Sequence, residues 1–188
     1  MDISQQAQIE LVAGAGARAP LPLGKVRLKS VWEFRCFDKH GNLKWVDTIE
    51  NLVVNAGLND VLDKYFKGSA YTAAHYIGLT DGTPTPNAND TLASHAGWTE
   101  VTAYDEATRG APTWGSVSGQ SLDNSGSPET FTISSNDTTI GGAFLATDST
   151  KGGSSGTLYG VGAFTAGDKT LDDDDTLSVT LTLTASAS

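Results

Sequence analysis

The chain has 188 residues, a formal net charge of −10 and a single cysteine, with a pI of about 4.5. That length fits one domain with its own core. The acidic balance argues against duplex nucleic acid and anionic membranes as partners, since both need clustered Lys and Arg, and a lone cysteine excludes an internal disulfide.

Residues 1–24 stand apart. The first part is polar with scattered aliphatics, and A-G-A-G-A-R-A-P-L-P-L-G follows. Proline lacks a ladder donor and glycine resists ordering, so this stretch does not build a core alone. It reads as an extended N-terminal arm that either packs on its own domain or crosses a neighbouring subunit. Ile9, Leu11, Arg18, Leu21 and Leu23 are its candidate contact residues. The N-terminus has no apolar h-region, so no secretory signal is expected, and no run reaches transmembrane length.

Residues 25–37 and 43–54 read as a β-hairpin. Trp32, Phe34 and Cys36 alternate with Glu33 and Arg35, which places the first three on one face. Leu43, Trp45 and Ile49 share a face of the second strand. The turn D-K-H-G-N tolerates positive φ and offers Lys39 and His40 at its tip. Cys36 reads as a small core residue.

The next stretch carries the one convincing helix. Asn55 is a candidate N-cap, and Leu58, Val61, Leu62, Tyr65 and Phe66 follow the spacing of an apolar stripe. Gly68 suits the C′ position, and Lys64 and Lys67 complement the helix dipole. The stripe predicts a helix packed on a sheet. Residues 73–80 then read as a strand, with His75 half-buried beside Ile77 and Leu79.

Residues 81–97 form a loop long enough to suggest a contact role, with Asn87 and His95 as candidates. Residues 98–104 alternate like a strand. Residues 109–117 contain Trp114 in an irregular stretch, and 118–128 read as a polar turn. Residues 129–134 and 139–147 read as a strand pair, with a bulge or close backbone approach at Gly141 and Gly142. The last strands are 158–166 and 176–184. In the latter, Leu177, Val179, Leu181 and Leu183 alternate with Ser and Thr, as in a half-buried strand. About nine short strands and one helix predict a mainly β protein, an antiparallel β-sandwich over 25–188.

The search for chemistry returns little. Gly152-Gly153-Ser154-Ser155-Gly156 matches G-x-S-x-G, but a nucleophile elbow needs a strand before the serine and a helix after it. The run Asp172–Asp175 lacks the alternate ligands and the glycine of an EF-hand, so it reads as a solvated turn. No zinc spacing, phosphate-binding loop or dinucleotide fingerprint is present. The expectation is no catalytic residues, no metal and no cofactor.

Several blocks occur together in order: N-L-V-V-N-A-G-L-N-D-V-L-D (51–63), H-Y-I-G-L-T (75–80), G-W-T-E-V-T-A-Y (97–104), E-A-T-R (106–109), D-N-S-G-S-P-E-T-F-T-I-S (123–134), I-G-G-A-F-L (140–145), S-T-K-G-G-S-S-G-T-L-Y-G (149–160) and D-T-L-S-V-T-L-T-L-T (175–184). This series resembles small virion-associated proteins of tailed bacteriophages. The resemblance implies a non-enzymatic structural protein of the virion, made in the host cytoplasm. A capsid decoration or cement protein would contact the major capsid protein and neighbouring copies of itself, without nucleic acid or membrane. The alternatives are a tail, fibre or head–tail junction protein, one form of which contacts host surface glycans. Under the cement reading, the arm, the hairpin tip 38–42 and the loop 81–97 are the contact regions. Trp98 and Trp114 are either anchors in the partner or members of the core.

Overall fold

The computed structural model describes residues 26–70 and 74–187. The arm, with Ile9, Leu11, Arg18, Leu21 and Leu23, lies outside the described residues.

Two long strands open the fold, β1 (Val26–Phe37) and β2 (Leu43–Val53). They pair antiparallel around a turn in which the Asp38 carboxylate accepts from the backbone N–H groups of His40 and Asn42. Helix α1 (Asn55–Val61) continues directly into a π-helical turn, Leu62–Phe66. The remaining strands are β3 (Tyr76–Thr80), β4 (Glu100–Val101), β5 (Ser121–Asp123), β6 (Glu129–Thr132), β7 (Thr138–Ile140), β8 (Gly142–Ala146), β9 (Leu158–Ala163), β10 (Lys169–Leu171) and β11 (Thr176–Ala187).

Nine of these strands form one antiparallel sheet in the order β4-β3-β8-β9-β2-β1-β11-β5, with β6 also pairing β11. The protein is therefore mainly β, with a sandwich-like fold and, among the described residues, one helix. The sheet doubles over where the end of β2 meets β9, Leu52 opposite Val161. One layer turns Trp32, Phe34, Cys36, Leu177, Val179 and Leu181 inward, and the other answers with Ile77, Leu79, Ala143 and Leu145. The predicted alternation in β1 and β11 thus faces one core. Strand β8 is buried along its whole length. Its other residues, Phe144 and Ala146, join Val54, Leu92, Trp98, Leu158 and Val161 in a second core.

Several strand expectations need correction. Residues 139–147 are not one strand but two, β7 and β8, separated by Gly141. A Cβ on Gly141 would lie 1.6 Å from the Gly82 carbonyl oxygen, so the backbones meet where only glycine fits. Residues 129–134 do not pair with 139–147: β6 pairs β11, while β7 pairs β10. Strand β11 has an uncovered ladder there, and pairing with it buries Phe131. The polar region 118–128 contains β5, which pairs with the far half of β11. Between β5 and β6 the buried Asn124 side chain donates to the Val179 carbonyl and accepts from the Leu181 N–H, filling a gap in the ladder. The strand expected over 98–104 shortens to Glu100–Val101; just before it, Thr99 is tied to Asp81 both through its backbone carbonyl and through the Asp81 carboxylate. In β2 the inward positions include Asp47, which faces Lys169 at 3.0 Å, whereas Leu43 is exposed.

The helix packs on β9, but not through its apolar stripe. Its buried residue is Gly57, where a Cβ would lie 2.7 Å from the Tyr159 carbonyl oxygen. The helix approaches β9 so closely that the contact belongs to glycine, and Leu58, Leu62, Tyr65 and Phe66 remain exposed. Asn55 is the first helical residue rather than the cap. Val54 occupies the cap position without a side-chain bond, and the Asn55 amide instead donates to Asn89. Gly68 has φ +80°, as expected of a C′ residue.

Candidate interaction surface

A groove of about 630 Å³ opens between the helix and the distal ends of β1, β5 and β11. Leu28, Leu122 and Leu183 contribute from the strands, Val61 and Tyr65 from the helix, and Trp114 and Val117 from the segment before β5. The wall is apolar, of a size that accommodates a ligand or a short peptide. Its rim is far from covered: Tyr65 is 81% and Val117 71% exposed.

Polar groups gather at the helix end of the groove. The Tyr159 hydroxyl donates to the Asp60 carboxylate at 2.6 Å, which ties β9 to the helix. The His75 ring stands edge-on to Tyr159, 4.6 Å between centroids. Burial holds the His75 pKa below its ordinary value, against the opposing pull of the Asp60 charge. His75 is half-buried, as its alternation with Tyr76 predicts.

A second apolar feature lies outside the groove. Leu58, Leu62 and Phe66 recur at every fourth position of the helix and its π-turn, and none of them lines the groove. Leu62 is 58% and Phe66 74% exposed. Contiguous exposed aliphatic and aromatic side chains of this kind mark contact surfaces more often than chance. The sequence pattern reveals these residues but assigns them inward. Nothing in it signals that Gly57 takes the sheet contact instead.

The other candidates are scattered. Lys39 and His40 are exposed at the hairpin tip, and Asn87 is exposed on the loop after β3. That loop is well anchored. Pro84, Asp90 and Leu92 are buried in it, and Asp90 accepts from the Asn87 N–H. His95 stacks on Trp98 at 3.6 Å between centroids. Trp98 is itself buried beside Phe144. It belongs to the core and does not present an anchor. Trp114 is half-buried on the groove wall, so of the two tryptophans it alone faces a possible contact site.

Of the buried charged side chains among the described residues, Asp47, Arg109 and Asp175 are ion-paired within the fold. Arg109, a buried residue that the sequence pattern does not single out, makes a two-pronged contact with Glu100, 2.9 Å from Nε and 2.7 Å from Nη2. It also donates to the carbonyls of Asp148 and Gly153. This explains the G-x-S-x-G match: Gly153 belongs to a loop held by Arg109, with no helix after Ser154. In the Asp172–Asp175 run, the first three residues are exposed and Asp175 is buried. Asp175 is paired with Lys44 at 2.6 Å, and this bond raises the Lys44 pKa. Burial, reinforced by the Asp175 charge, pushes the Cys36 thiol up to about 12, so the thiolate nucleophile is suppressed. No cluster of His, Cys, Asp and Glu capable of holding a metal occurs among the described residues.

Fold and surface together define a β-sandwich-like protein with an apolar groove and an outward apolar helix face. No helix among the described residues is long and apolar enough to cross a membrane. No protein-family model matches the chain, and neither a curated protein nor a solved structure matches it significantly.

Proposed function

We propose that the protein is a non-enzymatic structural component of a tailed-phage virion, a capsid decoration or cement protein that binds the outer shell. The observation that carries this reading is the outward row Leu58, Leu62 and Phe66, which the fold leaves exposed. The order of sequence blocks over residues 51–184 supports the virion setting by resemblance. An apolar row on a short helix anchored by Gly57 suits docking against a flat protein shell. Each such side chain contributes about 1.5–3 kcal/mol when fully covered. A shell presenting many equivalent seats multiplies modest individual affinities.

The test is co-sedimentation of the purified protein with capsid shells that lack it. Leu62→Asp together with Phe66→Asp leaves the buried core untouched and is expected to weaken binding about 100-fold or more, given the loss of two covered side chains. Circular dichroism of the variant should match the parent. Undiminished binding by this variant would refute the assigned face. Co-sedimentation of the parent protein with isolated tails, and not with shells, would move it to the tail or junction.

A further inference from the structure

Strand β2 is used unequally on its two sides. On one side it pairs with β1 from Leu43 to Asn51. On the other, only Leu52 and Val53 meet β9. Val54 donates its N–H to the Tyr159 carbonyl at the end of that short ladder. Backbone direction alternates along a strand, so the even-numbered residues of β2 aim their N–H and C=O groups toward the β9 side. At Val46, Thr48 and Glu50 that side holds no strand. Among the described residues nothing bonds the outward backbone of Val46 or Glu50, and the Thr48 N–H is taken by the Asp47 carboxylate at 2.8 Å. An open ladder is a template for a further strand unless proline, charge or a cover blunts it. No proline lies in β2. Its inward charge, Asp47, is matched by Lys169 at 3.0 Å and by the Thr165 hydroxyl. Val46, Thr48 and Glu50 are all exposed.

We propose that this open edge of β2 is a self-association site, at which two copies of the chain join antiparallel about a two-fold axis through Thr48. The pattern of free groups selects a second copy as the occupant. Val46 and Glu50 stand equally far from Thr48 along the strand, so the two-fold sets Val46 of one copy opposite Glu50 of the other. Each such pair can exchange both backbone bonds. Thr48 faces Thr48, a favourable cross-strand pair, and keeps its bond to Asp47. Lys44 lies diagonal to Glu50 of the second copy, within reach of long side chains. Glu50 is now held by the exposed Lys29, in a surface pair that is cheap to exchange. Asp47 stands opposite Ile49 and not opposite another Asp47, so like charges do not meet. The proposal does not rest on the virion reading and does not use the row Leu58, Leu62 and Phe66.

Sedimentation of the full-length chain tests it, together with a crosslink that reads the axis. The parent is expected to sediment as a dimer at about 100 µM and to dissociate on dilution. A monomer at that concentration would overturn the proposal. Val46→Pro removes an N–H that β1 does not use, so the β1–β2 ladder survives while the added strand loses a donor. It should weaken the dimer at least tenfold with unchanged circular dichroism. Should that variant fold poorly, Glu50→Lys alters only an exposed side chain and sets it near Lys44 of the other copy, and it should weaken the dimer severalfold, less so at high salt. A dimer untouched by the variants would place the contact elsewhere and overturn the proposal. Thr48→Cys puts a thiol on the axis, where bonded antiparallel residues lie about 5.5 Å apart at Cα, a distance that a disulfide spans. Ser155→Cys, exposed on the loop before β9, is the control, and the buried Cys36 does not compete. Under mild oxidation the Thr48→Cys chain should form crosslinked dimers at least tenfold faster than the control. Equal rates would overturn the assigned axis.

Discussion

Replacing Arg109 by leucine is expected to be among the most damaging single changes in the protein. The Arg109 side chain is fully buried and the Glu100 side chain is 9% exposed. Loss of the guanidinium leaves a carboxylate inside the protein with only the Gly152 N–H as a remaining donor. It also strips a donor from the Asp148 and Gly153 carbonyls, which Arg109 uses to hold the 148–153 loop against the strand layer. Breaking a buried pair by removing one partner costs about 3–5 kcal/mol, and the two orphaned carbonyls place this case near the upper end. For a domain of this size, each kcal/mol lowers the Tm by about 2–4 °C, so a loss of roughly 10–20 °C is expected. Urea denaturation followed by tryptophan fluorescence gives the free energy directly. The double change Arg109→Leu and Glu100→Leu removes both charges, and it should recover part of the loss because no carboxylate is then buried alone. A cost below about 1 kcal/mol for the single change would refute the reasoning. So would strict additivity of the two single changes.

Other outcomes follow from the same structure. Gly141→Ala is expected to destabilise by about 3 kcal/mol or more, since the new Cβ would overlap the Gly82 carbonyl. Gly126→Ala, with open space around its Cβ, should stay within about 0.5 kcal/mol on the same urea assay. Glu129 has its pKa raised by burial and then by the Glu106 charge, against a hydrogen bond from the Ala111 N–H. Its stabilising contribution is complete below its ordinary value of 4.5 and is lost as pH rises through the higher folded value. Glu129→Gln should therefore be more stable than the parent at pH 7, with the advantage shrinking as pH falls through the raised folded value and absent below the ordinary value of 4.5. An advantage that is constant across this range in thermal melts would contradict the assignment.

The amino-acid order alone determines the mainly β character, and the reason is local. Alternation in Trp32-Phe34-Cys36 and in Leu177-Val179-Leu181 fixes which side of each strand seeks the core, whatever strand it later pairs with. The turn at Asp38–Asn42 and the helix stop at Gly68 are legible for the same reason, since each depends on a few adjacent residues. Pairing partners are not legible. Whether β6 meets β11 or β7 depends on which ladder remains uncovered after the long strands have paired, a property of the assembled sheet. The buried Arg109–Glu100 pair shares this limit, because its loop carbonyls come from residues about forty positions away in the chain. Above all, the tertiary structure decides the candidate contact surface. A 3.6-residue stripe tells that Leu58, Leu62 and Phe66 share a face, but not which face the sheet will take. The close approach of Gly57 to Tyr159 settles that contact in favour of the glycine, and in doing so turns a predicted core stripe into an exposed one.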